Sequence, residues 1–397
     1  MGRRDNYIFA KKRQSQYIKE IFITAILIVL ILLVALFLFF NLFGSNVSIT
    51  LMGQDSVEIG SNVKASDLIK EIKKGTLKED AVIDTSHLGT TRVEVIIDKN
   101  GREKPYGFDV EIVDTTPPEI GAQGQVNIIR GTNIDIKTQV QVTDNSGEEP
   151  ALNIVGTCDS NTPGSYPISV SATDSSGNGT TKEVTVNVID VESHIGDFTF
   201  ITEKGYTGET VGGVTTIDGL AVVNRSFNLP EDYGPWALTE ETDSAYWEMV
   251  SDAWEKDGLE LFAISTFRSY WDQEAIYESY IWEKGYDWAA QYCARPGFSE
   301  HQLGLAIDMN LSEEEFDQTD EGKWLAENCH KYGFILRYPK GKEKQTGYSY
   351  EPWHIRYVGK EKAEIFYNGG NWITLEEYYG IPSQYSSSDK EFYQQEG

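Results

Sequence analysis

The stretch Ser299-Glu300-His301-Gln302-Leu303-Gly304-Leu305-Ala306-Ile307-Asp308, taken with Glu351-Pro352-Trp353-His354 further on, decides how the C-terminal half of the chain is read. The two blocks hold two of the chain's five histidines, an aspartate, and a glutamate three residues before the second histidine. A helix could put His301 and Asp308 on one face, but Gly304 between them argues against a regular helix. A loop or turn carrying His301, followed by a strand carrying Asp308, fits better. A second strand begins at His354, and two adjacent strands would bring the three side chains together. Two imidazoles and a carboxylate suit catalytic zinc, which keeps a fourth position open for water. Glu351 would stand beside the metal on its open side, placed to take a proton and hand it to a leaving amine. Each block alone is a weak signal, whereas their joint presence in this order is a strong one.

Working outward, residues 197–381 alternate helical patterns with short strands and hold all nine tryptophans. Thr239 caps an expected helix to about residue 254, with Glu240 and Glu241 favourable in its first turn. Further helices are expected over 271–284, over 320–332 ending at Gly333, and over 361–367. Strands are expected over 259–266, 305–309 and 354–358. Without a regular βα alternation, the expected class is α+β, a small antiparallel sheet with helices.

At this point the chain resembles the VanY-type zinc D-alanyl-D-alanine carboxypeptidases, which are related to the L,D-carboxypeptidases that trim peptidoglycan stem peptides. The resemblance covers roughly residues 220–367. It is carried by Ser299, His301, Gly304, Ala306 and Asp308, by Glu351, Trp353 and His354, and by Phe267-Arg268-Ser269 with Gln273. Val223-Asn224-Arg225 with Leu229-Pro230 adds to it. It implies that His301, Asp308 and His354 bind Zn2+ and that Glu351 is general base and then acid. It implies that Arg268 stabilises the oxyanion or holds the peptide carboxylate, and that Gln273 and Ser299 hydrogen-bond the stem peptide. Trp353 is expected to pack rather than touch substrate.

Residues 46–114 read as a β-rich module and 115–191 as a second one. Gly89 to Val93 lines up with Gly164 to Ile168, the turn Asp98-Lys99-Asn100-Gly101 with Asp174-Ser175-Ser176-Gly177, and Glu111 to Asp114 with Asn187 to Asp190. The offset of about 75 residues and the strand density suit small β-sandwiches. The second unit resembles bacterial immunoglobulin-like modules, and a spacer role is expected for both. A short helix is expected over 64–73.

Residues 21–43 are almost wholly apolar and long enough to span a bilayer. The preceding 20 residues carry a net +4, which keeps them cytoplasmic, and the rest of the chain, with a net of −32 (−28 minus +4), would lie on the far side. A cleaved signal peptide would have a shorter apolar run and a small-residue site, and Asn41-Leu42-Phe43-Gly44-Ser45 is a poor one. The expectation is a single-pass membrane protein with its catalytic domain extracellular, facing the cell wall. The acidity argues against nucleic-acid partners. Residues 382–397 are expected to be disordered.

Cys158, Cys293 and Cys329 form no disulfide framework. A bridge between Cys293 and Cys329 is open, with buried free thiols the simpler reading. No Ser-x-x-Lys or Gly-x-Ser-x-Gly block in 197–381 points to serine chemistry. The expected function is removal of the C-terminal D-alanine from peptidoglycan stem peptides. L,D-carboxypeptidase or endopeptidase action on the same peptides, and non-catalytic wall binding, stay open.

Overall fold

The computed structural model describes residues 2–43, 47–53 and 56–386. They fall into two compact units. One holds Met1–Pro118 with residues 144–149 and 174–178, and the other holds the remainder.

The first unit opens with helix α1 (Gly2–Phe43). Its portion Ala10–Phe39 is long and apolar enough to cross a membrane, and none of it is buried. The helix starts well before residue 21, because nothing between Lys11 and Glu20 breaks it. Next come β1 (Ser48–Leu51), β2 (Ser56–Glu58), α2 (Ala65–Leu68), β3 (Ile69–Lys73), β4 (Thr76–Glu79), β5 (Gly89–Lys99) and β6 (Arg102–Val113). The helix expected over 64–73 is thus one turn followed by a strand. At Ile69 the pattern changes to alternation, and Ile69 and Ile72 join the ladder with β1. Strands β5 and β6 form a hairpin with Lys99 opposite Arg102. Asn100 and Gly101 turn it with φ of 54° and 77°, the combination a tight hairpin needs.

The second unit begins with β7 (Glu119–Ala122), β8 (Gln125–Ile129), β9 (Val140–Thr143), β10 (Ala151–Val155), β11 (Gly164–Thr173) and β12 (Gly179–Ile189). Its strand order repeats that of the first six. Each set has a two-stranded antiparallel sheet, β1–β3 or β7–β9, and a four-stranded sheet, β2–β6–β5–β4 or β8–β12–β11–β10. In each, the second strand runs parallel to the last. Both bury an alternating set of β-branched side chains, such as Val93, Val95 and Ile97 in one and Val184, Val186 and Val188 in the other.

After β12 the chain builds a meander of β13 (Phe198–Ile201), β14 (Thr207–Val211), β15 (Val214–Ile217) and β16 (Leu220–Ala221). Helix α3 (Glu240–Asp252) follows, and Thr239 caps it by accepting from the Thr242 amide. Strand β17 (Ala263–Ser265) is shorter than the expected 259–266. Helix α4 (Tyr270–Lys284) begins at a capping box of Ser269 and Asp272, and α5 (Tyr286–Tyr292) follows it. Then come β18 (Ala306–Met309), α6 (Asp320–Asn328), β19 (Phe334–Tyr338), α7 (Glu343–Thr346), β20 (Glu351–Tyr357), α8 (Lys360–Tyr367) and α9 (Leu375–Tyr379).

Strands β17, β18, β20 and β19 lie in that order in one antiparallel sheet. Pro352 cannot donate to a ladder, and it falls where the β19–β20 register skips between Leu336 and Tyr338. This bulge lets β20 begin at Glu351, three residues earlier than expected. One apolar core holds the sheet and helices together, and Ile129 of β8, Ile189 of β12 and Val191 just after it belong to it.

The tail expected to be disordered over 382–397 lies beyond residue 386 outside the described residues. Its first part is packed. Tyr385 lies under the Arg295 guanidinium at 3.7 Å and edge-on to Phe298, and Asn224 Nδ2 donates to the Pro382 carbonyl at 3.0 Å. Ser383 and Gln384 add hydrogen bonds to Thr346 and Ser226, so the aromatic ring and the polar neighbours dock this segment together.

Candidate metal centre and active site

The β18–β20 ladder sets Asp308 directly opposite His354, so both side chains leave the same face of the sheet. His301 arrives from a 3₁₀ turn, Glu300–Leu303, that Gly304 closes at φ 68°. A β-carbon at Gly304 would lie 2.4 Å from the Ala237 carbonyl oxygen. Gly304→Ala is therefore expected to cost at least about 1–3 kcal/mol, measured by denaturant unfolding, and to displace His301.

One donor atom from each of His301, Asp308 and His354 lies within 4.8 Å of the others, and all three side chains are buried. His301 Nε2 is 3.2 Å from Asp308 Oδ2, and His354 Nδ1 is 3.1 Å from Asp308 Oδ1. Ligands about 2.0–2.1 Å from a tetrahedral zinc lie roughly 3.3 Å apart, so these spacings fit that ion. The outer atoms support the same assignment. His301 Nδ1 is 2.6 Å from the Thr266 carbonyl, which fixes its proton there and leaves Nε2 to face the cluster. Nε2 is buried and has no hydrogen-bond partner. Burial, helped by the Arg268 charge, pushes the His301 imidazole down to about 4, so it is neutral as a ligand must be.

His354 presents the other nitrogen. Its Nε2 points away from the cluster, 3.6 Å from Glu300 Oε2. A carboxylate behind a ligating imidazole orients the ring and raises its basicity. Burial alone would push His354 down, but bonds to Asp308 and Glu300 outweigh it and lift the ring to about 9. A metal entering here would release that proton.

Glu300 is the residue the sequence reading passed over, although it lies inside the first block. It is buried between two equally buried arginines. Arg337 Nε donates to Glu300 Oε1 at 2.9 Å and Arg356 Nη1 to the same oxygen at 2.7 Å. Arg337 continues to Glu376 through two bonds of 2.8 and 2.6 Å, and Asn224 Nδ2 donates to Glu376 at 2.9 Å. Burial works to raise Glu300, but the two guanidiniums outweigh it and hold the carboxyl well below its usual range. The only trace in sequence is an arginine inside each of two apolar strands, at Phe-Ile-Leu-Arg337 and His354-Ile-Arg356.

The cluster opens into a cleft of about 370 Å³. Arg268, Gln273, Ser299 and Glu351 all line it, with Tyr280, Trp288, Tyr338 and Trp353. Glu351 Oε2 lies 3.7 Å from His354 Nδ1, at the wall of the cleft. Burial pushes its carboxyl up to about 7, against the lowering charges of His354 and Arg268, which Asp308 and Glu300 only partly offset. Arg268 Nη2 is 3.4 Å from Asp308 Oδ2. Gln273 lines the cleft with its amide nitrogen turned inward, donating to the Ala294 carbonyl at 2.7 Å and to Cys293 Sγ at 3.3 Å. Ser299 is nearly fully buried. Trp353 both packs on the core and borders the cleft. All three cysteines are free thiols, and burial pushes Cys293 up to about 12.

Comparison with known proteins places this geometry. The family model VanY, D-alanyl-D-alanine carboxypeptidase, matches residues 236–360. The bifunctional D-Ala-D-Ala dipeptidase and D-Ala-D-Ala carboxypeptidase VanXYC of Enterococcus gallinarum is 33% identical over 183 residues, covering 42% of this chain and 95% of that protein. The chain belongs to the VanY family. Members of the VanY family are zinc metallopeptidases, and this chain is one of them. A solved VanY mutant in complex with Zn(II) is 34% identical, with a TM-score of 0.34, covering 40% of this chain and 96% of that one. The L,D-carboxypeptidase DacB of Streptococcus pneumoniae is 37% identical, with a TM-score of 0.39, covering 44% and 96%. The matched VanY region ends seven residues short of the end of α8 and leaves the β1–β12 segment outside it.

Proposed function

We propose that this chain is a membrane-anchored D,D-carboxypeptidase that removes the C-terminal D-alanine from peptidoglycan stem peptides. His301 Nε2, Asp308 and His354 Nδ1 would hold the zinc. The observation that carries the reading is the placement of Glu351, a carboxyl poised near neutrality, beside this donor set and on the cleft side of it.

Zinc held there would supply Lewis acidity and a more acidic water. Glu351 takes the proton of the attacking water and returns it to the departing D-alanine amine. Arg268 reaches into the cleft with a planar guanidinium, suited to the terminal carboxylate of the peptide or to the developing oxyanion. Its contact with Asp308 keeps it beside the reacting centre. Glu300 and the Thr266 carbonyl hold the two imidazoles in their tautomers. Ser299 offers a hydroxyl at the cleft wall. Gln273, tied to Ala294, shapes that wall and has one amide oxygen left for substrate.

The apolar part of α1 would be the anchor, with the basic segment before it in the cytoplasm and the catalytic domain outside. The β1–β12 segment would act as the spacer between membrane and wall.

The test is mass spectrometry of products from the detergent-solubilised full chain, given a pentapeptide and a tetrapeptide stem with and without chelator. Loss of one alanine from the pentapeptide only, abolished by chelator, is the expected result. Loss from the tetrapeptide alone would make the chain an L,D-carboxypeptidase, the activity carried in the name of DacB. No cleavage of either would overturn the carboxypeptidase reading.

A further inference from the structure

A second group of carboxylates lies far along the chain from the zinc ligands, all of it within the first unit. Asp114 follows the last residue of β6. Asp144 follows β9, and Asp174 follows β11. One carboxylate oxygen from each lies within 4.8 Å of the others. Asp114 and Asp174 are each 8% exposed.

Three acids close together are commonly just a solvated turn. Here the hydrogen bonding separates the cases. Both oxygens of Asp114 are buried with no hydrogen-bond partner, and so is Asp144 Oδ2. Asp174 is held in place from outside, accepting from the Asn178 amide and from Asn178 Nδ2, each at 2.8 Å. Asn178 Nδ2 also donates to the Asp114 carbonyl at 3.0 Å. Glu58 adds a fourth negative charge nearby, but its oxygens are taken by Thr115, Thr116 and Asn145. Among the described residues no lysine, arginine or histidine pairs with the three aspartates.

The internal repeat supplies a control. Asp190 ends β12 as Asp114 ends β6, and Asp190 has the Arg130 guanidinium 4.0 Å away. The ladder register places Ile59 where the second module has Arg130. The first module has kept the acid and lacks the cation. Burying unpaired carboxylates side by side is costly, and a cation or protonation must relieve it. Burial, with the charges of Asp144, Asp174 and Glu58, pushes Asp114 above its usual range.

The donor set is all oxygen, which excludes the preferences of zinc and suits a hard divalent ion. Calcium accepts carboxylate oxygens in flexible geometry, whereas magnesium demands a near-ideal octahedron and gives up its waters reluctantly, so a cage of buried protein carboxylates favours calcium. We infer that Asp114, Asp144 and Asp174 form a calcium site, independent of the zinc centre, that ties residues 144–149 and 174–178 to the end of β6.

The test is calorimetric titration of calcium into the zinc-loaded full chain in detergent, after removal of calcium on a chelating resin. One site is expected, with an affinity of roughly 10⁻⁴ M and weaker binding of magnesium. Asp114→Asn and, separately, Asp144→Asn should weaken binding at least about tenfold while peptidase activity stays unchanged. Calcium should raise the thermal midpoint of the wild type and not of Asp114→Asn. Without calcium, Asp114→Asn should melt at or above the wild type, because it removes a repulsive charge. A purely structural aspartate would instead lose stability on that change. No heat and no thermal shift at about 10 mM calcium, or unchanged binding in both variants, would overturn the inference.

Discussion

Glu351→Gln is expected to reduce hydrolysis by about 10²–10⁴-fold while zinc remains bound in stoichiometric amount. Glutamine keeps the shape of the side chain and its place at the start of β20. It cannot accept the proton of the attacking water or return it to the leaving amine. The three donor atoms attributed to zinc come from other residues, and Glu351 stands 3.7 Å from one of them, His354 Nδ1. Metal content and turnover should therefore separate in this variant, which they would not in His301→Ala or His354→Ala. Metal analysis and product mass spectrometry on the same preparation read both quantities. Retained turnover would remove Glu351 from the chemistry, and lost zinc would make it a ligand.

Arg337→Met is expected to destabilise the catalytic domain by about 3–5 kcal/mol, the range for breaking a buried ion pair from one side. Arg337 is fully buried and bonds both Glu300 and Glu376. Its removal leaves Glu376 with Asn224 and Glu300 with Arg356, each short of compensation. Lysine should not rescue the site, since one ammonium cannot span two carboxylates as the guanidinium does. A surface pair makes the contrast. Arg92 and Asp109 are 2.9 Å apart with their side chains 59% and 58% exposed. Arg92→Met should change stability by no more than about 1 kcal/mol. Denaturant unfolding of the two variants side by side measures the difference. An Arg337→Met loss as small as that of Arg92→Met would show that the buried network contributes nothing beyond burial.

Arg337 also reaches the zinc centre indirectly, because Glu300 stands behind His354. The network therefore joins fold stability to metal-site geometry. His354 and Arg356, two residues apart on β20, leave the same face of the sheet, so the network adjoins the proposed metal ligands through Glu300.

Much of this was legible in the two C-terminal blocks. His301, Asp308 and His354 were readable as a set because ligand chemistry needs particular residue types, and few histidines were available. Thr239 and Ser269 were readable as helix starts because capping acts over three residues. That the two β-rich modules repeat one another was readable from turn residues recurring at a fixed offset, whereas the shared order of six strands was not. Gln273 and Glu300 were not readable in the same way. An amide or a carboxylate beside a motif can face the substrate or face inward, and only its neighbours across the fold decide which. Gln273 turns its nitrogen towards Ala294, a residue 21 positions away. Glu300 meets Arg337 and Arg356, 37 and 56 positions away.

The sequence by itself determined what depends on local chemistry: an apolar segment long enough for a membrane, strands with alternating burial, helix caps, and the residue types able to hold zinc. Tertiary structure alone decided the nitrogen each histidine presents, the inward turn of Gln273, the buried Glu300–Arg337–Glu376 network and the meeting of Asp114 with Asp144 and Asp174. Those features rest on side chains from distant strands sharing one desolvated volume. There, charge and hydrogen-bond satisfaction are set by neighbours that no local pattern names.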